Sequence, residues 1–248
     1  MRVCNLILVF GLTFAVSMTQ AQEKLSKWID KVYTAESPAP TIIVAHGCGG
    51  LGKHEHDWAQ QIQSWGFNAI VLDSFKPRGF YSGMCNQSSV APGERVHDVY
   101  EITEVISKQP FHAGKFGLVG FSHGGSLALH LANDDANKTV AATVAYYPWC
   151  AKWAKSKKGL FGERRSFDNP KIPTAMMLGE KDNWTPIKFC LESVKGNNYQ
   201  VHIYSQATHA FDMNLPKRQA FGWTLWYEQE ADLDSRQKTK ELFDKHLR

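Results

Sequence analysis

The pentapeptide Gly120-Phe121-Ser122-His123-Gly124 constrains this chain more than any other feature. An apolar, strand-like run, Phe116-Gly117-Leu118-Val119, leads into it, and a helix-like run from Ser126 to Ala132 leaves it. A serine held between strand and helix, with a glycine on either side, fits a sharp turn that exposes its hydroxyl. The small neighbours relieve the crowding that such a turn creates. N–H groups at the start of the following helix point at the same spot, where a negatively charged oxygen would be stabilised. The fold must therefore hold this turn at the carboxyl end of a strand.

Strand-length apolar runs recur along the chain: Thr41–Ala45, Phe67–Leu72, Phe116–Val119, Val140–Tyr147, Thr174–Leu178 and Tyr199–Tyr204. They are continuous rather than alternating, as expected of parallel strands covered on both faces. Helical stripes separate them. These are Trp58, Ile62 and Trp65; Val96, Val99, Ile102 and Ile106, with Pro92 near the start; Leu127 and Leu131; and a closing stripe at Leu242, Phe243 and Leu247. This alternation predicts an α/β fold, a mostly parallel central sheet with helices on both faces. Trp28–Thr34 reads as an edge strand. Two long irregular stretches, Ser74–Ala91 and Trp149–Pro173, have the length of functional loops.

The chain opens with Met1-Arg2, an apolar run from Leu6 to Val16, and Ser17-Met18-Thr19-Gln20-Ala21. That order reads as a secretory signal peptide over residues 1–21, followed by a single domain over 22–248. The apolar run is short for a membrane anchor, so no stable membrane insertion is expected once the leader is removed. The expected location is periplasmic or secreted. The formal net charge of +4 is too mild to argue for a nucleic-acid partner. Basic residues concentrate between Lys152 and Lys171, which fits a solvated loop or attraction for an anionic substrate or envelope surface.

Beyond the leader lie four cysteines, Cys48, Cys85, Cys150 and Cys190. An even number in an exported chain points to disulfides. Zinc is the alternative, but no C-x-x-C or H-x-x-x-H spacing supports it, and no metal is expected. Cys150 closes one strand and Cys190 lies in a helix-like run on the adjacent crossover, which favours Cys150–Cys190. Cys48 and Cys85 then remain, each in a loop beside the functional face.

In open α/β sheets, reactive groups gather where strands end. Ser122 follows one strand, Asp182 follows Thr174–Leu178, and His209 follows Tyr199–Tyr204. A serine hydroxyl needs a base to take its proton, which His209 can supply. Asp182 would hold the imidazole tautomer and stabilise the imidazolium. Asp212 is the rival acid. His46-Gly47-Cys48-Gly49-Gly50 follows the first long strand and would supply an oxyanion loop. The expected oxyanion donors are the backbone N–H groups of Cys48 and His123. Arg78 is a candidate either to contact a substrate carboxylate or to brace its loop. Trp149 and Trp184 are candidate pocket walls, with core packing as the alternative. His54 and His56 are candidates to line the pocket.

The motifs His46-Gly-Cys-Gly-Gly, Asp73-Ser-Phe with Pro77-Arg-Gly, Gly120-Phe-Ser-His-Gly-Gly, Gly179-Glu-Lys-Asp with Trp184-Thr-Pro, and His209-Ala-Phe resemble the dienelactone hydrolase family, from about Thr41 onward. The resemblance implies the α/β-hydrolase fold and cofactor-free hydrolysis of an ester or lactone. It also implies Ser122, Asp182 and His209 as triad, and Cys48 and His123 as oxyanion donors. The chain departs from the founding enzymes at two positions. Ser122 stands where they carry a nucleophilic cysteine, and Gly47 stands where they carry a glutamate. The expected activity is therefore serine hydrolysis of a small ester, thioester or lactone through an acyl-enzyme. The alternatives are a non-catalytic binding protein on the same fold, or an exported peptidase.

Overall fold

Strand β2 (Ala39–Ala45) shows why the apolar runs are continuous. Ile42 and Val44 enter one core cluster, Ile43 and Ala45 the other, and all four are fully buried. Successive side chains leave a strand on opposite faces, so a strand with two covered faces has no polar positions to spare. The structure is a computed structural model and describes residues 25–85, 89–150, 167, 169–194 and 199–248. The expected leader and most of the basic segment, including Lys152 to Arg165, lie outside the described residues.

The other strands are β1 (Ile29–Tyr33), β3 (Asn68–Leu72), β4 (His112–Phe121), β5 (Val140–Tyr146), β6 (Thr174–Gly179) and β7 (Tyr199–Tyr204). The sheet order is β1-β3-β2-β4-β5-β6-β7, parallel throughout except for the antiparallel edge strand β1. Helices α1 (Lys53–Ser64) and α5 (Gln229–Leu247) cover the face of Ile42 and Val44. Helices α2 (Val96–Ile106), α3 (His123–Ala132) and α4 (Ile187–Ser193) cover the face of Ile43 and Ala45. The chain steps from β2 outward to β3, then returns to place β4 on the other side of β2. The loops leaving β2 and β4 therefore flank one crevice, the usual place for a ligand in such a sheet.

Two disulfides join Cys48 to Cys85 and Cys150 to Cys190, with Cα separations of 4.8 and 4.7 Å. The first ties the loop after β2 to the irregular stretch after β3. Among the described residues, no helix is long and apolar enough to cross a membrane. One element has no counterpart in the sequence reading, the hairpin of β8 (Arg218–Ala220) and β9 (Trp223–Leu225). Its turn puts Phe221 (φ 53°) and Gly222 (φ 88°) in the left-handed region. Asparagine or aspartate normally precedes the glycine of such a turn, so phenylalanine there concealed it.

Candidate active site

Ser122 stands between β4 and α3 at φ 53° and ψ −110°, a conformation that costs a non-glycine residue energy and occurs where surrounding structure enforces it. The neighbouring glycines make the turn sterically possible. A Cβ on Gly120 would lie 2.0 Å from the carbonyl oxygen of Gly124, and one on Gly124 would lie 2.2 Å from that of Ala45. Ser122 N–H donates to the Tyr146 carbonyl (3.0 Å), which anchors the turn to β5.

The hydroxyl Oγ of Ser122 lies 3.0 Å from Nε2 of His209. Nδ1 of His209 lies 2.8 Å from Oδ2 of Asp182. Asp182 is held in turn by the hydroxyl of Thr185 (2.6 Å) and by the N–H groups of Trp184 and Thr185 (2.9 and 2.8 Å). Burial pushes the Asp182 carboxyl up. The His209 charge and the hydrogen bonds from His209 and Thr185 outweigh this and keep it below the usual carboxylate range. The structure thus joins three side chains from the ends of β4, β6 and β7 into one hydrogen-bonded line. Ala210, beside the histidine, also has positive φ (56°), so the segment bearing the candidate base is constrained like the elbow.

The loop after β2 passes close to this line. A Cβ on Gly47 would sit 3.4 Å from Cβ of Ser122, so the loop runs in van der Waals reach of the serine. His46 is fully buried and ties the loop down. Its Nδ1 donates to the Gly47 carbonyl (2.7 Å), and its Nε2 accepts from Ser74 N–H (3.1 Å). Burial and the nearby Arg95 charge keep its imidazole neutral. The backbone N–H groups of Cys48 and His123 donate to no other described residue. His123 is the first residue of α3, where helix geometry offers the N–H no partner.

Arg78 is engaged within the fold. Its guanidinium forms a bidentate pair with Asp98 (2.7 and 2.8 Å), donates to the Ser74 carbonyl and lies over the Trp28 ring. A fork matched to a carboxylate within the fold has the contacts of a loop brace. The Trp184 ring lies 4.8 Å from that of His209 and 5.3 Å from that of Phe221. Trp149 is 40% exposed, and its backbone N–H and carbonyl both bond the Ser126 hydroxyl at the start of α3. His56 is occupied by Tyr33 and Asp30.

Asp212 belongs to a different network. It is buried, accepts from Trp58 Nε1 (2.8 Å) and Tyr147 OH (2.7 Å), and pairs with His54 Nε2 (2.7 Å). Burial opposes charge on His54, but Asp212 and Glu55 outweigh it and raise the imidazole to about 10. Burial likewise opposes charge on Asp212, which the pair still brings down to about 2. The His54 value rises from 6.5 on folding, so its stabilisation is complete below pH 6.5 and is lost as pH climbs towards about 10. The Asp212 value falls from 3.8, so its contribution is complete above that pH and is lost as pH drops through about 2. The pair therefore stabilises fully between about pH 4 and 6.5. Urea unfolding across pH should show wild-type stability declining above pH 6.5, and His54→Gln should flatten that decline. Asp212→Asn strands a buried cation and should cost about 3 kcal/mol or more at pH 6.

Sequence reasoning missed Thr185, Tyr147, Phe221 and Arg95. Arg95 had a detectable signal. It precedes Val99, Ile102 and Ile106 at helical spacing, on the apolar stripe, and it is fully buried.

The sequence profile of the dienelactone hydrolase family matches residues 31–247. The carboxymethylenebutenolidase of Pseudomonas putida is 24% identical over 193 residues, covering 71% of this chain and 77% of that protein. A carboxymethylenebutenolidase homolog of Rattus norvegicus is 25% identical over 197 residues, covering 73% of this chain and 75% of its own. A Klebsiella pneumoniae protein solved as a candidate dienelactone hydrolase superposes with a TM-score of 0.64 at 21% identity, covering 86% of this chain and 89% of its own. An esterase of Pyrococcus furiosus superposes with a TM-score of 0.61 at 17% identity, covering 91% and 96%. These two structural likenesses are of fold.

Proposed function

The chain belongs to the dienelactone hydrolase family, and from that premise we propose that it is an exported serine hydrolase cleaving a small ester, thioester or lactone through an acyl-enzyme on Ser122. Membership makes it a hydrolase acting on esters. The observation that carries the finer reading is the unbroken line Ser122 Oγ, His209 Nε2, His209 Nδ1, Asp182 Oδ2.

In this reading, Ser122 gives its proton to His209 Nε2 as Oγ attacks the carbonyl carbon. The carbonyl π pair moves onto oxygen, and the N–H groups of Cys48 and His123 receive the oxyanion. Collapse re-forms the carbonyl and breaks the bond to the leaving group, which takes the proton from Nε2. Water, deprotonated by the same histidine, then releases the acid and restores the Ser122 hydroxyl. Asp182 keeps the proton on Nδ1 throughout. Two disulfides suit an oxidising compartment, which supports the periplasm or the exterior as the place of action.

The described rim beside His209 supports a small substrate. The connection from β7 to α5 contributes a two-stranded hairpin, with Phe221 against Trp184, rather than a lid domain. Such a rim offers an aromatic wall but no cover for a long alkyl chain, which would stay in water. A p-nitrophenyl ester series from acetyl to palmitoyl should give the highest kcat/KM at two to four carbons and fall about tenfold or more by the longest. A kcat/KM that rises steadily to palmitoyl would overturn the small-substrate reading.

A further inference from the structure

Arg95 is fully buried, yet its side chain forms no direct ion pair with a carboxylate among the described residues. The nearby Asp98 is instead taken by Arg78. One nitrogen of Arg95, Nη1, makes two bonds, to the carbonyl oxygen of His46 (3.0 Å) and to Nδ1 of His123 (2.9 Å). The remaining guanidinium nitrogens, Nε and Nη2, have no hydrogen-bond partner among the described residues. The Phe75 ring lies against the guanidinium, 5.2 Å away, and meets the His46 ring edge-on at 4.4 Å.

The two acceptors belong to separate segments that converge on the candidate oxyanion hole. His46 opens the loop that presents Cys48 N–H, and His123 itself carries the second N–H. The His123 ring is fixed at its other end, since Nε2 donates to the Val90 carbonyl (3.0 Å), leaving Nδ1 as an acceptor. A single nitrogen thus ties the end of β2 to the start of α3. Burying a cation costs several kcal/mol, and a purely structural tie would need only a neutral donor. A partly unpaired guanidinium behind two N–H donors adds positive potential where negative charge develops in the reaction.

We propose that Arg95 is the positioning residue of the oxyanion hole, setting the distance between its two N–H donors and supplying a fixed positive charge behind them. This inference rests on the serine-hydrolase reading. It differs from a packing role in one respect, because it acts on the tetrahedral state far more than on bound substrate.

The test uses the full-length protein, a short-chain p-nitrophenyl ester and phenylboronic acid, which forms a tetrahedral adduct with an active serine. Arg95→Gln should lower kcat about 30-fold or more, change KM by less than about threefold, and weaken boronate binding by a factor close to the kcat loss. Arg95→Lys retains the charge and should recover part of both. His123→Ala keeps the backbone N–H and cuts only one arm of the tie, so it should lose about fivefold to tenfold in kcat and boronate affinity together. It also decides the matter should Arg95→Gln fail to fold. Folded variants with kcat and boronate affinity within about threefold of wild type overturn the proposal, as does a loss confined to KM. Wild type against Ser122→Ala separates the two levels. No Ser122-dependent boronate binding in the wild type would bring down the serine reading and this inference with it. Ser122-dependent binding left unchanged by Arg95→Gln would bring down this inference alone.

Discussion

Ser122→Ala is expected to lower ester hydrolysis about 10³-fold or more while leaving the fold intact. The side chain contributes one hydroxyl, which reaches His209. The bond that anchors the elbow to β5 uses the backbone of residue 122 and survives the change. Alanine bears the same Cβ, so the strained φ is no worse accommodated than in the wild type. Residual activity would come from polarisation by the oxyanion donors and from attack by water. Steady-state kinetics beside a thermal melt checks both halves. Near-wild-type turnover by a folded Ser122→Ala protein would remove Ser122 as the nucleophile.

Asp182→Asn should be nearly as severe, at about 10³- to 10⁴-fold in kcat, with little loss of stability. The local hydrogen bonds dictate how it fails. Oδ1 of Asp182 accepts from the N–H groups of Trp184 and Thr185, so an asparagine there keeps its carbonyl oxygen at that position. Its NH₂ group then faces Nδ1 of His209, the atom that now lies 2.8 Å from Oδ2. Nδ1 must become an acceptor, the ring proton moves to Nε2, and the base can no longer take a proton from Ser122. Asp212→Asn should show the opposite balance, a large loss of stability with a smaller loss of kcat in the protein that remains folded. Measuring kcat and urea midpoints for both variants separates the two carboxylates. A mild Asp182→Asn beside a crippled but folded Asp212→Asn would exchange their roles.

The parts of this architecture legible in the sequence were those governed by local pattern. Continuous apolar runs marked β2 through β6, because burial on both faces leaves no polar alternation. Strand β7 is instead an edge strand whose residues are only partly buried or exposed, contrary to the expectation of two covered faces. Glycines marked the elbow, because the backbones of Gly120 and Gly124 come too close to their neighbours for side chains. Strand ends located Ser122, Asp182 and His209, and the structure brings these three together. What escaped depended on long-range partners. The first half of α5, from Gln229, is rich in charge and has weak apolar periodicity, so only its closing stripe stood out. The match of Arg78 with Asp98, 20 residues away, left no local signal. His54 and Asp212 are 158 residues apart, and no local signal links them. Arg95 sat within an apolar stripe, where a charge ought to raise the question of what it serves.

The most direct test of the central claim is covalent. A slowly deacylated ester, p-nitrophenyl trimethylacetate, mixed in excess with the enzyme and quenched in acid, should trap an acyl group visible by intact mass. Peptide mapping should place a single trimethylacetyl group on Ser122, with none in Ser122→Ala and far slower accumulation in Asp182→Asn. Steady turnover with no adduct, or an adduct on any residue other than Ser122, would contradict the acyl-enzyme account.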